Sequence, residues 1–500
     1  MTASADAPSG RAPCVVGVGQ VLSHSSDPGD TEPLELWAQA CSLALADARS
    51  VRGVRAVDSL AVVRCDSWSY DAPARRLAER LSLLPGQVED SQLGGCQPQL
   101  LLHSLCDDIA GGRTDVGLIV SGEALHTLDV VTRAGEHPGW GDPAPAPPPL
   151  RLGDFFHDSE VRHGMLPIMR SFALRDSARR AQRREDPEAY AREPAPIYAA
   201  MSEVAAANPY AWHPSAKSAD EILEVSAANR MPVRPYPKLT MAWPKVNQAA
   251  AVLVASHAAA DDLGVPADRR VYIRGWSSAH DHPYVAENED LWRSRAMENA
   301  TRRALQDAAL GVDDLDFFDL YSCFPSALRF ATDALGRRLD DPRGVTVTGG
   351  MPYAGAPGSG YVTHALASMT EALRKGDVAS GLVSGLSAQM ATHAVSILST
   401  RPGRGDPRGF GRASPQATST TRTQIREGAH GPALLEAYAV ACDYAGDNEL
   451  AVAVCRLPDE SRCYAQTRDA DVLEVLSTSE GVGRRVELKS GEGGTNQLFM

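Results

Sequence analysis

The sequence predicts an α/β protein made of two similar halves, with a small β-barrel-like domain at its C-terminus. Three observations carry that prediction. A pattern of turn, helix and strand occurs twice in the same order. The strands of that pattern are short and dense in apolar residues, as strands buried on both faces are. Beyond residue 430 the pattern changes to short alternating runs separated by turns.

The repeat rests on matched glycine punctuation. Leu93-Gly94-Gly95-Cys96-Gln97-Pro98 opens an apolar-periodic helix, Leu100 to Ile109, which stops at Gly111-Gly112. A buried strand follows, Val116-Gly117-Leu118-Ile119-Val120, closed by Ser121-Gly122. Gly349-Gly350 through Pro357-Gly358 open a second helix, Val362 to Leu373, ending near Lys375-Gly376. It leads to Gly381-Leu382-Val383-Ser384-Gly385. The Gly-Gly pairs begin 255 residues apart and the strands 264 apart. Upstream, a helix Leu34 to Ala46 leads to a strand Ala56 to Val63. Its counterpart helix, Ala296 to Ala309, leads to a strand Leu315 to Tyr321. Two such halves imply a duplication, each half a mixed sheet layered with helices.

These matches divide the chain. Residues 1–265 form an N-terminal half with an inserted region at about 128–238, and 266–410 form the C-terminal half. A linker spans 411–430 and a β domain 431–500. The insert is rich in Pro, Arg and Ala. Asp142 to Pro149 reads as a linker or loop and Arg170 to Glu203 as helical surface. An insert of this length between matched elements is a lid or substrate loop. The β domain is read from Leu435 to Val440, Leu450 to Cys455, Arg462 to Thr467 and Arg485 to Leu488.

Net charge is −14, which disfavours nucleic acid as a partner. The pairs Arg179-Arg180 and Arg183-Arg184 read as the solvated face of a helix. Nine cysteines with no CxxC pair argue against a zinc site and a disulfide framework, and fit a reduced, cytoplasmic protein. The first residues lack the apolar core of a signal peptide. No apolar run nears the ~20 residues of a membrane span.

At this point several ordered motifs carry a resemblance. They are Asn208-Pro209-Tyr210-Ala211-Trp212, Tyr236-Pro237-Lys238-Leu239, Asp319-Leu320-Tyr321-Ser322-Cys323-Phe324-Pro325-Ser326 and Tyr361-Val362-Thr363-His364-Ala365. With a Gly-flanked Cys at a helix start, the chain resembles the thiolase superfamily. More narrowly, it resembles the actinobacterial thiolase-like proteins labelled acetyl-CoA acetyltransferase, which carry an extra OB-like C-terminal domain. The resemblance implies the duplicated thiolase fold, layered α-β-α-β-α. It also implies an acyl-CoA or acyl-carrier thioester as substrate, no permanently bound cofactor, a homodimer, and a further OB-domain protein as a potential partner.

The same resemblance allows the catalytic set to be checked residue by residue. Cys96 falls at the nucleophile position, where a helix N-terminus favours thiolate; the bland reading is a small Cys packing a helix start. Thiolases carry their activating His in a Gly-His-Pro turn, but here the loop reads Gly355-Ala356-Pro357-Gly358. The loop of the second catalytic Cys reads Ser384-Gly385-Leu386-Ser387-Ala388, without a thiol. Tyr321 takes the place of an oxyanion-hole Asn or His, and thiolase-like side-chain aldolases use a tyrosine there. Cys323 lies in that loop. His364 and His393 are the remaining candidate bases. A backbone oxyanion hole would be made by Cys96 with Gly385 or Leu386. His280-Asp281-His282 reads as a structural loop rather than a metal site.

Three functions stay open on this reading. The first is acyl transfer through Cys96 by a thiolase-like enzyme lacking the full catalytic set. The second is a non-catalytic acyl-CoA-binding or scaffold protein. The third is C–C cleavage by Tyr321 with a histidine.

Overall fold

The computed structural model describes residues 9–50, 57–141, 153, 155–376, 379–403, 407–410, 415–419 and 421–500. The Pro-Ala stretch 142–149 lies outside them.

Ten strands form one sheet: β1 (Pro13–Leu22), β2 (Ser59–Val62), β3 (Gln87–Asp90), β4 (Val116–Ala124), β5 (Asn247–Ser256), β6 (Val271–His280), β7 (Phe317–Asp319), β8 (Ser380–Ser387), β9 (Thr392–Ser399) and β10 (Gln416–Ala417). Their order is β3-β2-β4-β5-β1-β6-β9-β8-β7, with β10 beside β6. The duplication is explicit in this order. From β1 outward, β5 and β4 pair antiparallel and β2 parallel; from β6 outward, β9 and β8 pair antiparallel and β7 parallel. The halves join where Cys14 and Val15 of β1 pair with Tyr272 and Val271 of β6.

The repeat extends to a shared irregularity. β1 shifts register at Val15/Gly17 and β6 at Ile273/Gly275. A Cβ on Gly17 would lie 2.0 Å from the Ala44 carbonyl oxygen, and one on Gly275 would lie 2.1 Å from that of Ala304. The helices Pro33–Asp47 and Arg295–Ala308 thus rest directly on strand backbone, an approach only glycine allows. The helices Gln97–Gly111 and Tyr361–Leu373 occupy the predicted places.

The C-terminal region is a closed barrel of β11 (Gly431–Cys442), β12 (Asn448–Arg456), β13 (Arg462–Thr467), β15 (Asn496–Phe499) and β14 (Arg485–Ser490), with the helix Ala470–Thr478 between β13 and β14. Its inner wall includes Leu435, Val440, Ala453, Cys455 and Leu488, all buried.

The expectation of a solvated Arg179-Arg180 face is corrected. In the helix Met169–Arg183, Arg175, Arg179 and Arg180 are buried, while Arg183 and Arg184 are exposed. Arg179 holds Asp333 at 2.7 and 3.0 Å. Arg180 holds Glu480 beside the barrel at 2.9 and 3.2 Å and the Tyr438 hydroxyl at 2.7 Å. Arg175 donates to the carbonyls of Arg293 (2.7 Å) and Met390 (3.1 Å). Among the described residues, no helix is long and apolar enough to cross a membrane.

Candidate active site

The site forms where the start of the Gln97–Gly111 helix meets the end of β8. Gly94, at φ 144°, makes the turn and donates its N–H to Ser359 Oγ at 2.9 Å. A Cβ on Gly95 would fall 2.1 Å from the Tyr321 hydroxyl and 2.4 Å from the Leu386 carbonyl oxygen. The glycine pair is therefore what brings these three loops into contact.

Cys96 caps the helix and is 1% exposed. Its N–H donates to Ser387 Oγ at 3.0 Å, and its Sγ lies 2.8 Å from the same oxygen. Burial pushes the thiol up to about 11, although the Ser387 hydrogen bond works in the opposite sense. Desolvation outweighs the helix terminus here, so Cys96 is a thiol at neutral pH. Gln99, one turn on, donates to the Val383 carbonyl (2.8 Å) and Ser396 Oγ (3.1 Å), fastening the helix to β8 and β9.

Of the backbone groups expected to form an oxyanion hole, one already has a partner. The Cys96 N–H is spent on Ser387. Gly385 and Leu386 lie within the β8–β9 ladder, in register with Ala394 and His393, and the ladder runs on to Ser387 and Thr392.

Ala356 is buried in the loop that follows Gly355 (φ 104°), its N–H bonded to the Trp243 carbonyl at 2.9 Å. Tyr321 is buried, with its ring edge-on to Tyr361 at 5.8 Å and its N–H on Ser384 Oγ at 3.0 Å. Burial, then the neighbouring Cys323 and Cys96, hold the phenol well above its usual range, so it is a neutral donor. Cys323 is buried and its thiol raised by burial; its carbonyl accepts the Ala242 N–H.

The histidines are placed elsewhere. His364 Nδ1 meets Gln20 Oε1 at 2.9 Å, and burial lowers it to about 3. His393 Nε2 lies 3.0 Å from the Met390 carbonyl oxygen and 3.1 Å from Ser294 Oγ, in a cluster with Asp281; burial lowers it to about 4. Neither makes a hydrogen bond to Cys96 or Tyr321, and both are neutral at pH 7. His282 Nε2 meets the Thr421 carbonyl oxygen, and Asp281 caps the Arg295–Ala308 helix through Ala296 N–H, as a structural loop does.

Two groups in the site were missed in the sequence. Ser387 is one; its partner is 291 residues away. Glu123, at the end of β4, is the other. It accepts the N–H groups of Asp66 (2.6 Å) and Ser67 (2.8 Å). A Cβ on Gly358 would lie 2.4 Å from its Oε1. Burial, then Asp66, raises its carboxyl to about 7.

The insert packs on the loop that leads to Ala356. A Cβ on Gly349 would meet Ala205 Cβ at 2.4 Å and one on Gly350 Met201 Cε at 2.1 Å. Both partners belong to the helix Pro194–Ala207. Trp212 and His213 N–H groups bond the Ala354 and Tyr353 carbonyls at 3.0 and 2.9 Å.

Residues 415–493 match the family described as the thiolase-like protein type 1 additional C-terminal domain. A monomeric SCP2-thiolase-like protein type 1 from Mycobacterium smegmatis is similar over 99% of this chain and 100% of its own, at 30% identity and a TM-score of 0.83. The Ltp2-ChsH2(DUF35) aldolase is similar over 77% of this chain and 97% of its own, at 17% identity and a TM-score of 0.59. The dimeric peroxisomal thiolase of Saccharomyces cerevisiae is similar over 78% and 98%, at 13% and 0.57. These last two likenesses are of fold. No curated protein matches the chain in sequence.

Proposed function

The chain belongs to the thiolase superfamily, among the SCP2-thiolase-like proteins of type 1, and from that premise we propose that it binds an acyl thioester without performing the Claisen reaction of thiolases. One observation carries this reading: the Cys96 N–H and Sγ are both engaged by Ser387 Oγ, with Ala356 where a base would stand. Thiolase chemistry needs a thiolate, a base and open oxyanion donors. The acyl group arrives on CoA or a carrier protein, with no resident cofactor.

Acyl transfer through Cys96 is the second reading. It is favoured by the placement of the thiol at a helix start, with the neutral Tyr321 phenol beside Gly95. Intact mass after incubation with acyl-CoAs separates the two, with Cys96→Ala as control. Saturable binding without a mass shift supports the first reading. An acyl adduct absent from Cys96→Ala sinks it in favour of the second. Neither binding nor adduct refutes both.

In place of the dimer expected from the superfamily we propose a monomer in the cytosol. One edge of the sheet is β3, whose four residues are all exposed and end in Glu89 and Asp90. Charged side chains on a short edge oppose pairing with a second copy. The barrel acts in cis, without a separate OB-domain partner. Light scattering on a sizing column tests the first statement, which a stable dimer would overturn.

A further inference from the structure

Away from Cys96, a cavity of about 460 Å³ lies between the insert and the barrel, a size and a place typical of small-ligand sites. One wall is the Met169–Arg183 helix with the 187–192 helix; the other is β11 with the end of the Ala470–Thr478 helix; residues 231–237 close the side. Ala173, Leu223, Met231, Pro235, Val440 and Leu476 give it an apolar lining.

The charged groups in that lining are unequal. Asp176 is fully paired: it accepts from the Tyr190 and Tyr236 hydroxyls at 2.5 and 2.6 Å and from Arg329 at 2.6 Å. Glu188 is exposed and sits 3.4 Å from Arg192, and Arg180 is held by Glu480. Arg234 differs from these. It is half-buried, and it donates to Asn448 Oδ1 at 2.6 Å and the Gly446 carbonyl at 3.5 Å. Among the described residues it has no carboxylate partner. In a chain of net charge −14, a cation without an ion pair among the described residues, beside an apolar hollow, is a place for an outside anion.

The geometry points to a second ligand site, in which the interdomain cavity takes an aliphatic chain ending in a carboxylate. The chain lies against Leu223, Met231 and Leu476, and the carboxylate meets Arg234.

Titration calorimetry of the full chain with decanoate and with decanol tests this. Decanoate binds at one site and decanol at least ten-fold more weakly. Arg234→Ala weakens decanoate at least five-fold and leaves decanol unchanged. Leu476→Trp fills the hollow and abolishes both. A crystal soaked with 10-bromodecanoate shows bromine against Leu476. The inference is overturned by absent decanoate binding, by equal affinity for the alcohol, by an Arg234→Ala variant that binds as tightly as the parent, or by bromine at Cys96. The Arg234 arm stands even where Leu476→Trp fails to fold.

Discussion

Arg329→Met is expected to cost about 3 kcal/mol of stability and to loosen the insert. Arg329 and Asp176 have side chains only 1% exposed each and meet at 2.6 Å. Arg329 also reaches Glu193 at 2.9 Å and the Tyr190 carbonyl, so it pins the insert to the Pro325–Leu335 helix. Removing one member of a buried pair costs ~3–5 kcal/mol, because the other charge is left without compensation. Two phenols still donate to Asp176 in the variant, which places the loss at the low end. Adding Asp176→Asn removes the stranded charge and should restore about 2 kcal/mol, a coupling within the usual range for contacting residues. Urea unfolding followed by circular dichroism and by tryptophan fluorescence measures both, the two probes checking for a single transition. Amide exchange in residues 187–207 should rise in the single variant. A loss under 1 kcal/mol, or a double variant no better than the single, would refute the view that this cluster fastens the insert.

Ser387→Ala leaves the buried Cys96 N–H without a partner, at ~1–3 kcal/mol. It also removes the hydrogen bond that offsets burial on the thiol. Alkylation of Cys96 at pH 8, followed by peptide mass, should slow, and acceleration would contradict the role given to Ser387. Glu123 is raised by burial, then by Asp66, from 4.5 to about 7. The folded state therefore keeps a proton that the unfolded chain has lost above about 4.5. Its contribution is full below that pH and is lost as pH rises to about 7, by roughly 3 kcal/mol at most. The stability of the parent minus that of Glu123→Gln should fall across that window; a flat or rising difference rejects the assignment. Gly95→Ala drives a methyl into the Tyr321 hydroxyl and the Leu386 carbonyl, an overpacking worth ~1–3 kcal/mol. A melting temperature equal to that of the parent would show that the loops do not meet as described.

Much of the fold is legible because glycine marks it. Gly111-Gly112 ends a helix, Gly112 at φ 73°, and the matched Gly-Gly turns expose the duplication. The central strands β1, β5, β6 and β9 are harder. A run such as Ala249 to Ser256 is buried at every position, so neither a two-residue nor a 3.6-residue period shows. The helix Ala470–Thr478 escapes notice for being short among strands. Ala356 is plain in the sequence because what matters is a missing side chain. Ser387 is not, because its hydroxyl matters only beside a residue 291 positions away. Arg179 and Arg180 look like surface charge for the same reason: Asp333 and Glu480 are 154 and 300 residues distant.

Those arginines give the Met169–Arg183 helix the character of an axle. Within six residues it grips the barrel through Arg180, the C-terminal half through Arg179, and the β8–β9 turn through Arg175 on the Met390 carbonyl. Met390 is three residues from Ser387, the group that occupies the Cys96 amide. The tail barrel is therefore tied, through one helix, to the turn beside the residue that engages Cys96.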